Sequence, residues 1–493
     1  MRLDEIRQEA EAFLEELVEE EYRNRAGLKT RGGLSVIYEK YPRLASWSLF
    51  FQLEGMAREG QGEEGKRIGF LKEFIAQNTL DSEVRKITDR IITWEATQLL
   101  EIEGRVFSFR SAEVEIKNQE LRSMREAIEK ARCQALREVN PLLADYWKQV
   151  HEGALRLGFE NYTRMCQELS GVELLPLKDI GDGLLKETQD VYRDVLQWFL
   201  KRELGVNADQ AKRHDLVYLF RAKGYDRVFM AGGIVNGAER CLKRMRLDPK
   251  AGGRLAWDLE PRDTKAHRAF VASIKVPERI IMVIRPGGGY DDYLAFFHEL
   301  GHGLHYGYTD PDLPLEFRRL GDPSVGEVHA FTLEGLVRER GWLKYFLDFP
   351  DSKDFLRLAY LHKLYLIRRY AAKLRYELIL HDGGPIEGKK ETYRELLTRA
   401  TMAEYPEELY LYDVDPYFYT GRYLRAWLFE AQLKKYLYEH FDEEWFRNDR
   451  TGPFLKGLWR DGQRYTLEEL ASNLGLGKLS IDPLIQEISQ YLE

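Results

Sequence analysis

The chain has 493 residues, 32% of them charged, with a net charge of -8. That length can bury a substantial core over two or three structural units, and the charge balance gives no support for nucleic-acid binding. No apolar run approaches the ~20 residues a spanning helix needs, which excludes a membrane protein. Cys133, Cys166 and Cys241 are few, odd in number and far apart, so neither a disulfide framework nor a cysteine metal site is expected.

Taken in order, the chain opens on an acidic amphipathic helix over Asp4 to Tyr22 rather than a signal peptide, which places the protein in the cytoplasm. Helical periodicity then dominates the first 200 residues, with helices predicted over Gly65 to Asn78, Asp81 to Glu103, Glu113 to Glu138 and Thr188 to Leu204. From Pro141 through Tyr162 a helix pair is expected. Between about 205 and 290 glycine and proline increase, at Gly232-Gly233, Gly252-Gly253 and Pro261, which is where loops and a small sheet belong. The basic run Arg240 to Arg246 lacks an aromatic or glycine-rich partner pattern and reads as a solvated helix face. Arg279 to Ile284 reads as a short buried strand, broken by Pro286 and Gly287-Gly288-Gly289 before a helix opens near Asp291. A second amphipathic helix is expected over Ser324 to Val337, started by Asp322-Pro323. A long helical pattern resumes from Lys353 to Arg375, and Gly383-Gly384-Pro385 ends the helix after it.

The chemistry lies in His298-Glu299-Leu300-Gly301-His302. On a helix the i and i+4 side chains share a face, so both imidazoles can reach one ion, and Glu299 flanks them where it can take a proton from a water on a bound zinc. Leu294, Phe297, Gly301 and Leu304 recur at helical spacing, which turns this face inward. Gly301 and Gly303 each cost a helix interior about 1 kcal/mol relative to alanine, so a packing reason such as the close approach of a second helix is expected. A catalytic zinc takes three protein ligands and keeps one open position. Glu327 and Glu334, two turns apart on one face of the second helix, suit a ligand and the acceptor of a ligating histidine's outer N–H.

The run from Phe297 to Gly307, followed by Ser324 to Leu336, resembles the zinc site of the thimet oligopeptidase and oligoendopeptidase F family. In that family a further histidine stands three residues past the motif, as His305 does here, and a second helix supplies the glutamate. The 24 residues between His302 and Glu327 suit it, as does the second glutamate seven residues on. The stretch Tyr308 to Arg319 is similar to the equivalent loop of angiotensin-converting enzyme, on a related helical fold. Asp415 to Tyr423 resembles the tyrosine-bearing segment of the same superfamily, and Gly421 to Leu433 is similar to carboxypeptidases of the Taq type. The histidine usual about a dozen residues before the catalytic tyrosine is replaced by Leu411.

The resemblance implies a mostly α, bilobed helical metallopeptidase with a deep central channel and a small β-sheet beside the histidine helix. The expected division is a helical N-terminal lobe over residues 1–205 and a catalytic lobe over 206–493. It further implies one Zn2+ per chain held by His298, His302 and Glu327, Glu299 as general base, Glu334 behind a histidine, and Tyr423, then Tyr419, as oxyanion donor. His305 either contacts substrate or fills a helix interface, and His329 is structural. Gly288 and Gly289 either admit the substrate backbone or form a tight turn, and the strand at Arg279 to Ile284 could pair with an extended peptide. The expected activity is hydrolysis of short unstructured peptides. A metallocarboxypeptidase, with Arg422 holding the substrate carboxylate, and a non-catalytic zinc- or peptide-binding protein are the alternatives; an intact Glu299 counts against the last.

Overall fold

The computed structural model describes residues 2–29, 33–262, 264–266 and 268–493. The chain is mostly α-helical, with a two-stranded and a three-stranded sheet among the described residues. It forms two compact units: Met1–Thr79, Gly224–Lys353 and Arg425–Leu484 make the first, and Leu80–Lys223, Asp354–Leu424 and Ile485–Glu493 the second. The expected boundary at 205/206 is thereby replaced by an interleaved division. Contacts between distant stretches define each unit, and local periodicity carries no record of them.

In the first unit, Arg279–Val283 is the middle strand of the three-stranded sheet. It pairs parallel with Leu255–Asp258 and antiparallel with Phe270–Lys275, with an irregularity between Ser273 and Lys275. Its near-continuous apolar run fits that place, since all but the first residue are buried. Because both edges are taken, Arg279 to Ile284 cannot pair with an extended peptide as the sequence suggested. One face of the sheet closes over Ala26, Val18 and Tyr22 of the N-terminal segment, where Phe270, Ala272, Ile274, Ile281 and Val283 form a core. The helix there runs Leu3–Arg25.

In the second unit, Leu80 onward belongs to a helix running Gly62–Thr97, where the sequence suggested two helices. Asn78 and Thr79, which read as a break, are buried, and Thr79 Oγ1 bonds Ile75 O at 2.7 Å within the helix. The hairpin Leu99–Ile102 and Arg105–Ser108 lies inside what was expected to be helix and following segment. Its turn is Glu103-Gly104, both left-handed with φ of 50° and 75°. The helix Arg122–Arg156 continues through Pro141, where a break was expected, and Lys353–Leu380 forms one helix.

An ion pair and hydroxyl hydrogen bonds set the start of the helix Tyr419–Phe441. Lys373 Nζ donates to Asp415 Oδ2 at 2.7 Å, and Thr420 Oγ1 lies 2.8 Å from Glu377 Oε1 and 2.9 Å from Asp415 Oδ2. Tyr417 and Phe418 both hold positive φ. The cost of that conformation is offset by hydrogen bonds: Tyr417 N donates to Tyr162 Oη and its hydroxyl to Asp81 Oδ1, each at 2.7 Å.

Candidate metal centre

The candidate site is built in the first unit from two helices, Tyr290–Tyr308 and Pro323–Glu334. The histidine helix begins where Gly288 and Gly289 take φ of 87° and 92°, and Gly287 N donates to Asp292 Oδ2 at 2.5 Å. A Cβ at Gly288 would stand 3.0 Å from Ala231 N, and Gly289 N bonds Phe229 O at 2.6 Å. These glycines form a tight turn against their own chain. Leu294, Phe297, Gly301 and Leu304 are all buried, as the periodicity required. The glutamate helix starts as the sequence indicated: Asp322 caps it by accepting from Ser324 N at 2.9 Å, with Pro323 in the first turn. Arg425 Nη1 in turn holds Asp322 Oδ2 at 2.8 Å.

The two helices meet at Gly301. A Cβ there would lie 2.5 Å from His329 O and 2.6 Å from Ala330 Cα, so only glycine permits this approach. Gly303 and Gly307 likewise admit the Leu255 side chain and Ala251 Cβ on other faces of the helix. The helix-propensity cost of these glycines is therefore accounted for by packing on its flanks.

This approach brings His298 Nε2 to 3.5 Å and His302 Nε2 to 3.7 Å from Glu327 Oε2. One donor atom from each of the three residues lies within 4.8 Å of the others. Tetrahedral zinc with bonds of about 2.0–2.1 Å sets its ligand atoms ~3.3 Å apart, near the two separations from Glu327. Two imidazoles and one carboxylate are also a donor set of catalytic zinc sites.

Behind His298, Nδ1 lies 3.0 Å from Glu334 Oε2. An ionised carboxylate can only accept, so Nδ1 carries the proton of this bond and Nε2 turns toward Glu327. Glu334 is held ionised: burial works against its charge, but Arg338 and His298 push it down to about 2. Arg338 Nη2 donates to Glu334 Oε1 at 2.7 Å and its Nε to Tyr290 Oη at 3.2 Å. Burial also opposes a charge on His298, yet the carboxylates of Glu327 and Glu334 outweigh it and hold the ring up to about 10. The corner favours a positive charge, as a cation site must. Burial, by contrast, pushes His302 down. Glu299 sits one residue along the helix from His298 and is partly exposed.

His305 is fully buried, and its Nε2 lies 3.1 Å from Gly462 O. It packs against His329, ring centroids 4.7 Å apart, and so fills a helix interface. Tyr419, Arg422 and Tyr423 belong to the second unit. The two tyrosine rings are 5.1 Å apart and partly exposed, whereas Arg422 is buried. Sequence reasoning missed Arg338 and Tyr290. Arg338 carried a signal, standing one turn beyond Glu334, whereas Tyr290 carried none.

No protein-family model matches the chain, and no curated protein matches its sequence. Solved structures match its fold. PZ peptidase A with inhibitor 2 aligns at TM-score 0.61 and 15% identity over 98% of this chain and 84% of that one. A protein assigned as oligoendopeptidase F from Bacillus anthracis str. Ames aligns at TM-score 0.63 and 15% identity, over 99% and 83%. Another assigned as oligoendopeptidase F aligns at 0.64 and 12%, over 93% and 83%. The chain thus has the mostly α-helical fold of oligoendopeptidase F and PZ peptidase, as its motifs suggested. Among the described residues no helix is long and apolar enough to cross a membrane.

Proposed function

We propose that the protein is a zinc-dependent oligopeptidase that hydrolyses peptide bonds of short unstructured peptides. The observation that carries this reading is the convergence of His298, His302 and Glu327 with Glu299 beside them on the helix. The shared fold of peptidases supports it. When bound, zinc supplies a Lewis acid that polarises the scissile carbonyl and lowers the pKa of water toward ~7.

The chain's own residues do the rest. Glu334 fixes the ring orientation of His298, and Arg338 keeps Glu334 ionised while it does so. Glu299 takes the proton from the attacking water on its carboxylate and delivers it to the leaving amine. Tyr423, with Tyr419 as second choice, donates a hydrogen bond from its hydroxyl to the oxyanion; this assignment rests on the sequence resemblance. The substrates are short peptides, and the reaction involves neither nucleic acid nor a membrane.

The test combines metal analysis of the purified protein with mass mapping of products from a mixed peptide pool containing C-terminally amidated members. One zinc per chain and internal cleavage of amidated peptides are expected. Cleavage restricted to free-acid peptides, one residue at a time from the C-terminus, would replace endopeptidase by carboxypeptidase action. Absence of zinc binding would overturn the proposal.

A further inference from the structure

Close to the metal centre, Arg319 carries a positive charge that no carboxylate of its own balances. It is partly buried on the connection between the two ligand helices, where its Nη1 donates to Ile274 O at 3.0 Å. Among the described residues it forms no ion pair. The two carboxylates that act on it, Glu15 and Glu11, already face other cations: Glu11 Oε1 holds Arg318 Nη2 at 2.6 Å, and Glu15 Oε1 lies 3.7 Å from Lys275 Nζ. Three cations thus share two carboxylates. Burial pulls Arg319 down to about 10, and Tyr306, Glu15 and Glu11 do not make up the loss. A guanidinium stays charged at neutral pH, so this is a desolvated cation short of negative charge, and a carboxylate brought to it relieves that deficit.

The surroundings of Arg319 connect it to the working face of the histidine helix. Between Tyr293 and Gly307 only Ala295, His298, Glu299, His302 and Tyr306 keep partial exposure, a single stripe at helical spacing. A peptide that reaches the histidines from solvent meets this stripe. Tyr306 stands one turn beyond His302, about 6 Å along the axis. Burial raises its phenol, and the charges that act on it are Arg319, which lowers it, and Glu327 and Glu299, which raise it. Such effects fade with distance, so the hydroxyl lies near Arg319 and near the carboxylates of the metal centre alike. That hydroxyl makes no hydrogen bond to the protein among the described residues. The strand Phe270–Lys275, whose Ile274 carbonyl anchors Arg319, is an edge of its sheet and packs along the same helix.

We propose that Arg319 and the Tyr306 hydroxyl form a carboxylate subsite for the peptide substrate. Arg319 donates through the N–H groups not committed to Ile274, and Tyr306 adds a hydroxyl donor. An extended peptide advances about 3.3 Å per residue, so one helical turn plus the reach of a guanidinium sets the bound carboxylate about two to four residues from the scissile carbonyl. An Asp or Glu side chain and a peptide C-terminus present the same pair of acceptor oxygens there. The subsite rests on the oligopeptidase reading above and deepens it to a preference for peptides that carry a carboxylate at this distance.

The test is fluorescence anisotropy of dye-labelled alanine-based peptides with Glu299→Gln protein, in which hydrolysis does not intervene. The set holds an amidated peptide without acids, its free-acid form, and amidated forms with a single Asp or Asn at each position in turn. One carboxylate form should bind about tenfold or more tighter than its amide counterpart. An Asp effect at one register identifies a side chain as the ligand, and a free-acid effect identifies the C-terminus. Adding Arg319→Met should reduce the ratio to within about threefold, against that tenfold reference. Arg319→Glu should reverse it, so that the amide counterpart binds tighter, an outcome that misfolding does not produce. Equal affinity of every carboxylate and its amide overturns the proposal without any change at Arg319, and a ratio that survives Arg319→Met overturns it too. Selective binding with no hydrolysis by the wild-type protein would defeat the oligopeptidase reading and leave the subsite standing. Hydrolysis without a carboxylate preference defeats the subsite alone, and no binding of any peptide defeats both.

Discussion

Gly301→Ala perturbs the contact on which the whole centre depends. A Cβ at this position would sit 2.6 Å from Ala330 Cα and 2.5 Å from His329 O, where carbon contacts prefer at least about 3.5 Å. The helices must part by roughly 1 Å to admit it. Glu327 stands on the displaced helix one turn before Ala330, so its carboxylate recedes with it. The separations of 3.5 and 3.7 Å from the histidine nitrogens then grow toward roughly 4.5 Å, too wide for one ion whose bonds tolerate only about ±0.2 Å. Loss of one ligand and the misplacement together should weaken zinc about 100-fold or more. Stability responds less: overpacking costs about 1–3 kcal/mol, and the alanine returns about 1 kcal/mol of helix propensity. The assay is chelator-competition affinity beside urea melts of the metal-free protein. Gly303→Ala is the control, because its Cβ would meet the side chain of Leu255, which can rotate away. Zinc affinity within about threefold of wild type in Gly301→Ala, well short of the usual tenfold loss, would refute the claim that this approach sets the ligand geometry.

Glu299→Gln should lower kcat about 10²–10⁴-fold while zinc content stays at the wild-type level, since Glu299 is a base and not a ligand; undiminished hydrolysis by protein free of contaminating peptidases would defeat the mechanism. Arg338→Met leaves Glu334 buried against His298 without its cation. It should cost about 3 kcal/mol in urea melts and about tenfold in zinc affinity, and an unchanged affinity would show that Glu334 needs no anchor. In the second unit, burial opposes the charge on Asp413, but Arg369 and Lys373 draw it from 3.8 down to about 2. A carboxylate with a depressed folded pKa contributes stability that is complete above its unfolded pKa and disappears as pH falls through the folded one. Acid unfolding between about pH 4 and 2 should therefore remove about 2 kcal/mol in wild type through this residue. A flat profile across that window would contradict the assignment.

The cluster of His298, His302 and Glu327 was legible because its parts lie close together in sequence and obey helical spacing. His298, His302, Glu327 and Glu334 follow from intervals of four and seven, and Asp322-Pro323 marks a helix start that the structure reproduces. Gly301 was legible as an anomaly, a residue costly to its helix, and the reason lies in the neighbouring helix. What escaped depends on partners far along the chain. Arg279–Val283 reads as a buried strand, but its middle place depends on Leu255–Asp258, which pairs parallel with it. The hairpin at Leu99–Ser108 was lost because its strands are only four residues each and sit at the end of a long helix.

The most direct test of the account is anomalous scattering at the zinc absorption edge from crystals of the zinc-loaded protein. The account predicts one strong peak per chain, about 2.0–2.2 Å from Nε2 of His298, Nε2 of His302 and an oxygen of Glu327. A peak ligated by other residues, or a Glu327 carboxylate turned away from both rings with zinc present, would contradict it.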